Sequence, residues 1–318
     1  MLRTRRSLIA LIAILFLTNG LSSQAQTGPP QEWKVSALKV VAWFETKSDR
    51  WDVITPDFDC NGISAGILQW NVGKGLLTKL LNRFPAQMVD HFMPTYGQEL
   101  IKNLNISTKH GLQYVQKFQK YKNPQTCNGN KRGASWTIAG KLLHDELSVL
   151  LGSDEGQAIQ ITFADDTANL AWRFAQEWSL AARGNVSPTY TEFLFFYDTV
   201  NFNGTFWECL ATYQKVSDLR KAEGNQRAFD DVIKYLKNER SQPYYQTWDA
   251  DQNVTLWGPK QVNDDDQIDL LLHGYIVARN IKKKSAIPFR LNVISRRGTI
   301  VFQDGFVNHT RKSIPPPN

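Results

Sequence analysis

The 318-residue chain has little of what most catalytic chemistries need. There are three cysteines, Cys60, Cys127 and Cys209, too few for a disulfide-built scaffold. The five histidines, at 91, 110, 144, 273 and 309, form no HxxxH or similar ligand spacing, so a zinc site is not expected. No G-x-S-x-G elbow, dinucleotide fingerprint or phosphate loop occurs, which removes the usual serine hydrolases, dehydrogenases and nucleotide enzymes. No cofactor and no metal are therefore expected. The chain shows no internal repeat, no low-complexity domain, and beyond its first residues no apolar run of membrane-spanning length. Basic residues are not gathered into a stripe, so nucleic acid is not an expected partner.

Positive features begin at the N-terminus. Arg3, Arg5 and Arg6 precede an apolar run from Leu8 to Leu17, and Ser23-Gln24-Ala25 fits a small-x-small cleavage pattern. Residues 1–25 have the form of a secretory signal peptide, with an uncleaved anchor as the other reading. The product would be secreted or periplasmic. Without the three leader arginines the formal net charge falls from +7 to +4. A mildly basic exported chain meets an anionic envelope favourably. Export also permits one cysteine pair to oxidise, and Cys60–Cys127 would tie an acidic turn to a later loop. Five N-x-S/T sequons occur, at Asn105, Asn185, Asn203, Asn253 and Asn308, and carry little weight in so Asn-rich a chain.

Roughly 290 mature residues can bury a large core. Helical spacing is expected over 75–84, 86–93, 96–104, 108–119, 135–151, 154–182, 189–200, 216–240 and 266–281. Loop composition marks 123–135, and 241–262 is expected to be irregular. The stretch 288–305 alternates weakly around Arg297-Gly298 and is expected to form a hairpin, after a charged joint at Lys282 to Lys284. The Pro-rich end at 315–317 is expected to fray. The organisation is a signal peptide (1–25), a mainly α two-lobed domain with a central cleft (26–281), and a basic joint, small hairpin and tail (282–318).

The stretch FETKSDRWDVITPDFDCNGISAGILQWN, residues 44–71, carries the chemistry. Val35, Leu38, Val41, Ala42 and Glu45 share one helical face, so the Glu45 carboxyl is expected at the edge of the core. Burial there would favour the protonated acid, which is what donating a proton to a glycosidic oxygen requires. Asp59 follows in a turn with Asn61 and Gly62, and an exposed carboxylate there would stay ionised and could activate water. Ser64, five positions on, could hold that water. Taken singly, Glu45 equally fits a helix end and Asp59 an Asx-turn. Gln69 and Asn71 offer amides for sugar hydroxyl and N-acetyl groups, and Trp70 offers either a stacking face or a core side chain.

The layout resembles the lysozyme-like superfamily, and within it the bacterial chitosanase family, on Phe44-Glu45, on Asp59-Cys60-Asn61-Gly62-Ile63-Ser64, and on the aromatic stretch 193–204 with Tyr197-Asp198. The resemblance implies Glu45 as general acid, Asp59 as general base, Ser64 in the family's water-orienting Thr position, and Asp198 as a supporting carboxylate. Gly66-Ile67-Leu68-Gln69 is instead similar to the Gly-x-x-Gln stretch of lytic transglycosylases and goose-type lysozymes. The Glu-to-Asp interval is short for a chitosanase, which leaves Asp57 and Asp52 as competitors for the base. Chitosan is a polycation and asks for an acidic cleft, whereas peptidoglycan carries carboxylates, so the charge favours peptidoglycan. The expected function is an exported glycoside hydrolase of β-1,4-linked amino-sugar polymers. Chitosan hydrolysis, non-catalytic glycan binding, and a secreted effector with a protein partner are the other readings. Asp165-Asp166 is expected to form an N-terminal cap or a solvated edge, and 263–269 to open a helix rather than bind calcium.

Overall fold

The computed structural model describes residues 28–57, 60–122, 134–185, 187–203, 209–239, 244–281 and 287–317. The expected signal peptide, Asp59 and Cys127 lie outside them. The fold is mainly α. Helix α1 (Gln31–Thr46) buries Ala37, Leu38, Val40, Val41, Ala42 and Phe44, and stops where Lys47 turns left-handed at φ 60° and donates its N–H to the Trp43 carbonyl. A small antiparallel sheet follows, β1 (Ile54–Thr55), β2 (Ser64–Ala65) and β3 (Trp70–Asn71), in that order. Its register sets Thr55 opposite Ser64 and Ser64 opposite Asn71. Gly66 makes the tight β2–β3 connection at φ +81°, and a Cβ there would stand 2.6 Å from Gln160 Oε1.

Four short helices then form a lobe: α2 (Leu76–Leu81), α3 (Ala86–Phe92), α4 (Gly97–Ile106) and α5 (Thr108–Gln116). A two-stranded pair, β4 (Gln119–Tyr121) with β5 (Ala134–Trp136), leads to α6 (Ile138–Gly152) and α7 (Asp154–Phe163). The second lobe is α8 (Asp165–Arg183), α9 (Tyr190–Asn203), α10 (Cys209–Glu223), α11 (Asn225–Asn238), α12 (Tyr244–Trp257), α13 (Asp265–Asn280) and α14 (Arg290–Phe302). The core of this lobe is α9, whose Phe193 to Tyr197 are all sealed from solvent. Asp264 caps α13, its carboxylate accepting from the N–H groups of Asp266 and Gln267, so this acidic run opens a helix as expected.

Several expected boundaries are corrected. The single helix over 154–182 is two, meeting at Ala164, and 216–240 is two helices meeting at Gly224. Residues 244–257, expected to be irregular, are helical. The hairpin expected around Arg297-Gly298 is helix α14, and the C-terminal hairpin lies further on, β6 (Asp304–Val307) with β7 (Thr310–Ser313). Helix α14 is buried from Leu291 to Val301, so it has no polar face to give it a helical period, and its β-branched residues favour strand locally. Packing overrides that preference. Gly298 lets the α14 backbone approach Trp257, since a Cβ there would stand 2.5 Å from the indole.

The expectation of a Cys60–Cys127 disulfide as part of this fold is corrected: no disulfide joins two described residues. Two sequons are also structural. Asn253, fully buried, exchanges hydrogen bonds with the Phe306 backbone, and Asn308 donates Nδ2 to the Phe44 carbonyl at 2.5 Å. Asn308 and His309 form the left-handed turn of the C-terminal hairpin, at φ 53° and 64°. The His309 N–H donates to Asp249 Oδ1 at 2.7 Å. That turn packs on the last residues of α1. Among the described residues no helix is long and apolar enough to cross a membrane.

Candidate active-site cleft

Helix α1 ends with its buried face turned to the core and Glu45 at the mouth of a cleft of about 870 Å³. The end of α1 meets β1–β3 and α2 on one side, and the α7–α8 junction and the end of α9 on the other. Of the residues chosen from sequence, Glu45, Ser64, Gln69, Trp70 and Asn71 all line this cleft. Asp59 lies outside the described residues. Its competitors stand elsewhere. Asp57 is fully buried, its N–H donating to Gln119 Oε1 at 2.6 Å and its carboxylate facing the Tyr121 hydroxyl at 3.4 Å. Asp52 pairs with Arg50 and faces a separate groove beside Phe92 and Val149.

The surroundings of Glu45 differ from the apolar edge expected of it. Its side chain keeps 30% of its surface exposed, and Arg296 Nη1 donates to Oε1 at 2.7 Å. Arg296, on α14, is 1% exposed and turns its Nε and Nη2 onto Asp198 Oδ1 at 2.9 and 2.6 Å. Asp198, on α9, also faces Arg297 Nε at 3.3 Å. The Arg296 guanidinium lies over the Phe202 ring at 4.4 Å and the Phe44 ring at 5.1 Å. Burial alone would pull Arg296 down, but the Asp198 and Glu45 carboxylates outweigh it and the net shift is upward. Arg297 is pulled down to about 10 by burial, which Asp198 opposes and Arg296 reinforces. A charge-assisted contact from a guanidinium locked on both sides fixes where the Glu45 carboxylate points. The sequence offered one signal for it: two adjacent arginines inside an otherwise apolar stretch, NVISRRGTIVF.

The β wall is polar but internally satisfied. Ser64 is 5% exposed, one strand away from Asn71. Gln69, at φ 53°, gives its Nε2 to the Val53 and Gly66 carbonyls and takes the Thr55 hydroxyl on Oε1 at 2.8 Å. It staples the β1–β3 connection, with both amide hydrogens engaged. Asn71 Oδ1 accepts from the Lys74 N–H at 2.8 Å. Trp70 is 7% exposed and meets Phe163 edge-on at 5.2 Å, so most of its ring is core and only a margin reaches the cleft.

Among the described residues no group of three or more His, Cys, Asp or Glu side chains is arranged to hold a metal ion. Fold and site thus define a mainly helical protein whose cleft has a carboxylate at its mouth and a small polar sheet for one wall. No family model matches the chain, and no curated protein does. Among solved structures it is similar to a complex of the GH46 chitosanase GsCsn46A of Gynuella sunshinyii with chitotetraose. The identity is 11% and the TM-score 0.45, over 90% of this chain and 99% of that one. At that distance the likeness carries no argument about substrate or residues.

Proposed function

We propose that the protein is an exported glycoside hydrolase acting on β-1,4-linked amino-sugar polymers, with peptidoglycan as its leading substrate. The observation that carries the reading is the convergence of Glu45, Ser64, Trp70 and Asn71 on one cleft from separate elements. Glu45 is the proton donor. Arg296 aims its carboxyl toward the cleft it lines. Asp59 is the general base, and Ser64 holds the attacking water. Secretion or export to a periplasm follows from the charged-then-apolar N-terminus.

The balance of the step is simple. Glu45 gives its proton to the glycosidic oxygen as the C–O bond breaks, and water attacks the sugar carbon while Asp59 takes the water's proton. The test is digestion of peptidoglycan and, separately, chitosan by the mature protein and by Glu45→Gln, with soluble products read by mass. Muropeptides released only by the unsubstituted protein support the reading. Chito-oligosaccharides alone transfer the activity to chitosan. Equal binding without cutting by both proteins makes the cleft a glycan-binding site and Glu45 a structural residue.

A further inference from the structure

The charged side chains of the cleft divide between its walls. On the α2 side stand Lys74 and Lys79, both exposed and both lining the cleft. Lys79 shares a helical face with the cleft-lining Leu76 three residues before it, and Lys74 lies in the turn just ahead of α2. One turn beyond Lys79, Arg83 sets its guanidinium over the ring of Phe163, another lining residue, at 5.2 Å. None of the three cations makes an ion pair with a described residue. At the start of α8, Asp165 is taken by Lys34 at 2.8 Å, and Asp166 is the exposed acidic lining residue. Glu45 is already matched by Arg296.

Surface lysines are ordinary, and Lys79 in the last turn of α2 also suits the helix dipole. What separates Lys74 and Lys79 is that both line the cleft and neither is paired with a described carboxylate. A polymer bearing an ammonium on every sugar would meet them with like charge. A polymer whose sugars bear carboxylates would be steered toward them and held there. We infer that Lys74 and Lys79 form an anion-reading edge of the cleft that selects an amino-sugar polymer carrying carboxylate-ended substituents, such as the peptides of peptidoglycan. The inference deepens the proposed function and rests on its reading of the cleft as a glycan site. It assigns specificity to Lys74 and Lys79 and leaves proton transfer to the residues around Glu45. Because the contacts are exposed they act on binding, and each carries a modest and salt-sensitive share.

The test compares peptide-bearing glycan with the same glycan whose carboxylates have been capped as neutral amides by carbodiimide coupling, using the mature protein and a Lys74→Ala, Lys79→Ala double variant. A Lys74→Arg, Lys79→Arg protein serves as the charge-preserving control. The double Ala variant is expected to raise KM on peptide-bearing glycan about three- to tenfold with kcat unchanged. It should behave as wild type on amide-capped glycan, and the Arg control should restore KM. High salt should erase the difference between the two glycans. Equal losses on both glycans, or no loss on either, overturn the inference, as does wild-type preference for chitosan. If the wild type cuts neither glycan, the hydrolase reading fails and co-sedimentation decides the inference separately. Binding weakened by the Ala pair on peptide-bearing glycan alone supports it, and unchanged binding overturns it.

Discussion

On its α14 side Glu45 meets Arg296 and, behind it, Asp198 and Arg297, all sealed from water, while Ser64, Gln69 and Asn71, on or beside the small sheet, line the same cleft. The first side is held by charge at long range: Arg296 and Glu45 are 251 residues apart in the chain. The second is held by neighbours, since Gln69 bonds only to groups 3 to 16 residues away. A buried ion cluster is costly to break because the surviving charge has no water to turn to, whereas a local turn fails more gently. The two sides should therefore respond to substitution very differently.

The largest effect is expected at the α14 side. Arg296→Ala leaves Asp198 buried with a poorer partner and should cost about 3–5 kcal/mol in urea unfolding. It should also lower activity even where the protein remains folded, because Glu45 loses the group that aims it. A loss as small as that of a surface variant would remove the distinction between the two sides.

Acid should act on the same side of the molecule. His273 is fully buried among Trp178, Phe195 and Phe196, and burial, aided by the Arg297 charge, pulls it down to about 3. The unfolded chain takes up a proton near the ordinary value of about 6.5 that the folded chain refuses, so stability rises with pH across that window. This share is complete above about 6.5 and is lost as the pH falls toward 3. Urea midpoints measured from pH 7 to 5, above the range where ordinary carboxylates titrate, should slope downward, and His273→Phe should flatten the slope.

The β side is tested by Gly66→Ala, which meets both a left-handed φ and the close approach of Gln160 and Trp70. It should cost about 1–3 kcal/mol and raise KM more than the α14 variant does, since it shifts the sheet that lines the cleft. Asn308→Ala removes the hydrogen bond that the C-terminal turn gives to the Phe44 carbonyl, and about 1 kcal/mol should follow in thermal unfolding. Arg50→Ala, at an exposed pair with Asp52, should leave the melting temperature unchanged and so set the floor of the scale.

The same contrast decides what could be read from the sequence. Helix α1 and its end at Glu45 were legible because an apolar face repeats at helical spacing and then stops. The turn ahead of β2 was legible because Asn61 and Gly62 permit left-handed backbone, and Gly62 adopts it. Helix α14 was misread as a hairpin because a helix buried on every side has no period to display. The apolar setting expected for Glu45 failed for a related reason: helical spacing says which side of α1 faces inward, and nothing about what the rest of the chain places there.

The sequence by itself determined the mainly helical class, the reach of α1, and the cluster of polar residues at 64–71 that lines the cleft, all through contacts within a few turns of chain. Only the tertiary structure decided that Arg296 aims Glu45, that Asp57 is buried and Asp52 faces another groove, that Gln69 is spent on its own loop, and that Lys74 and Lys79 line the same cleft as Glu45. Those outcomes depend on which distant segments exclude water from one another, and no local pattern encodes that.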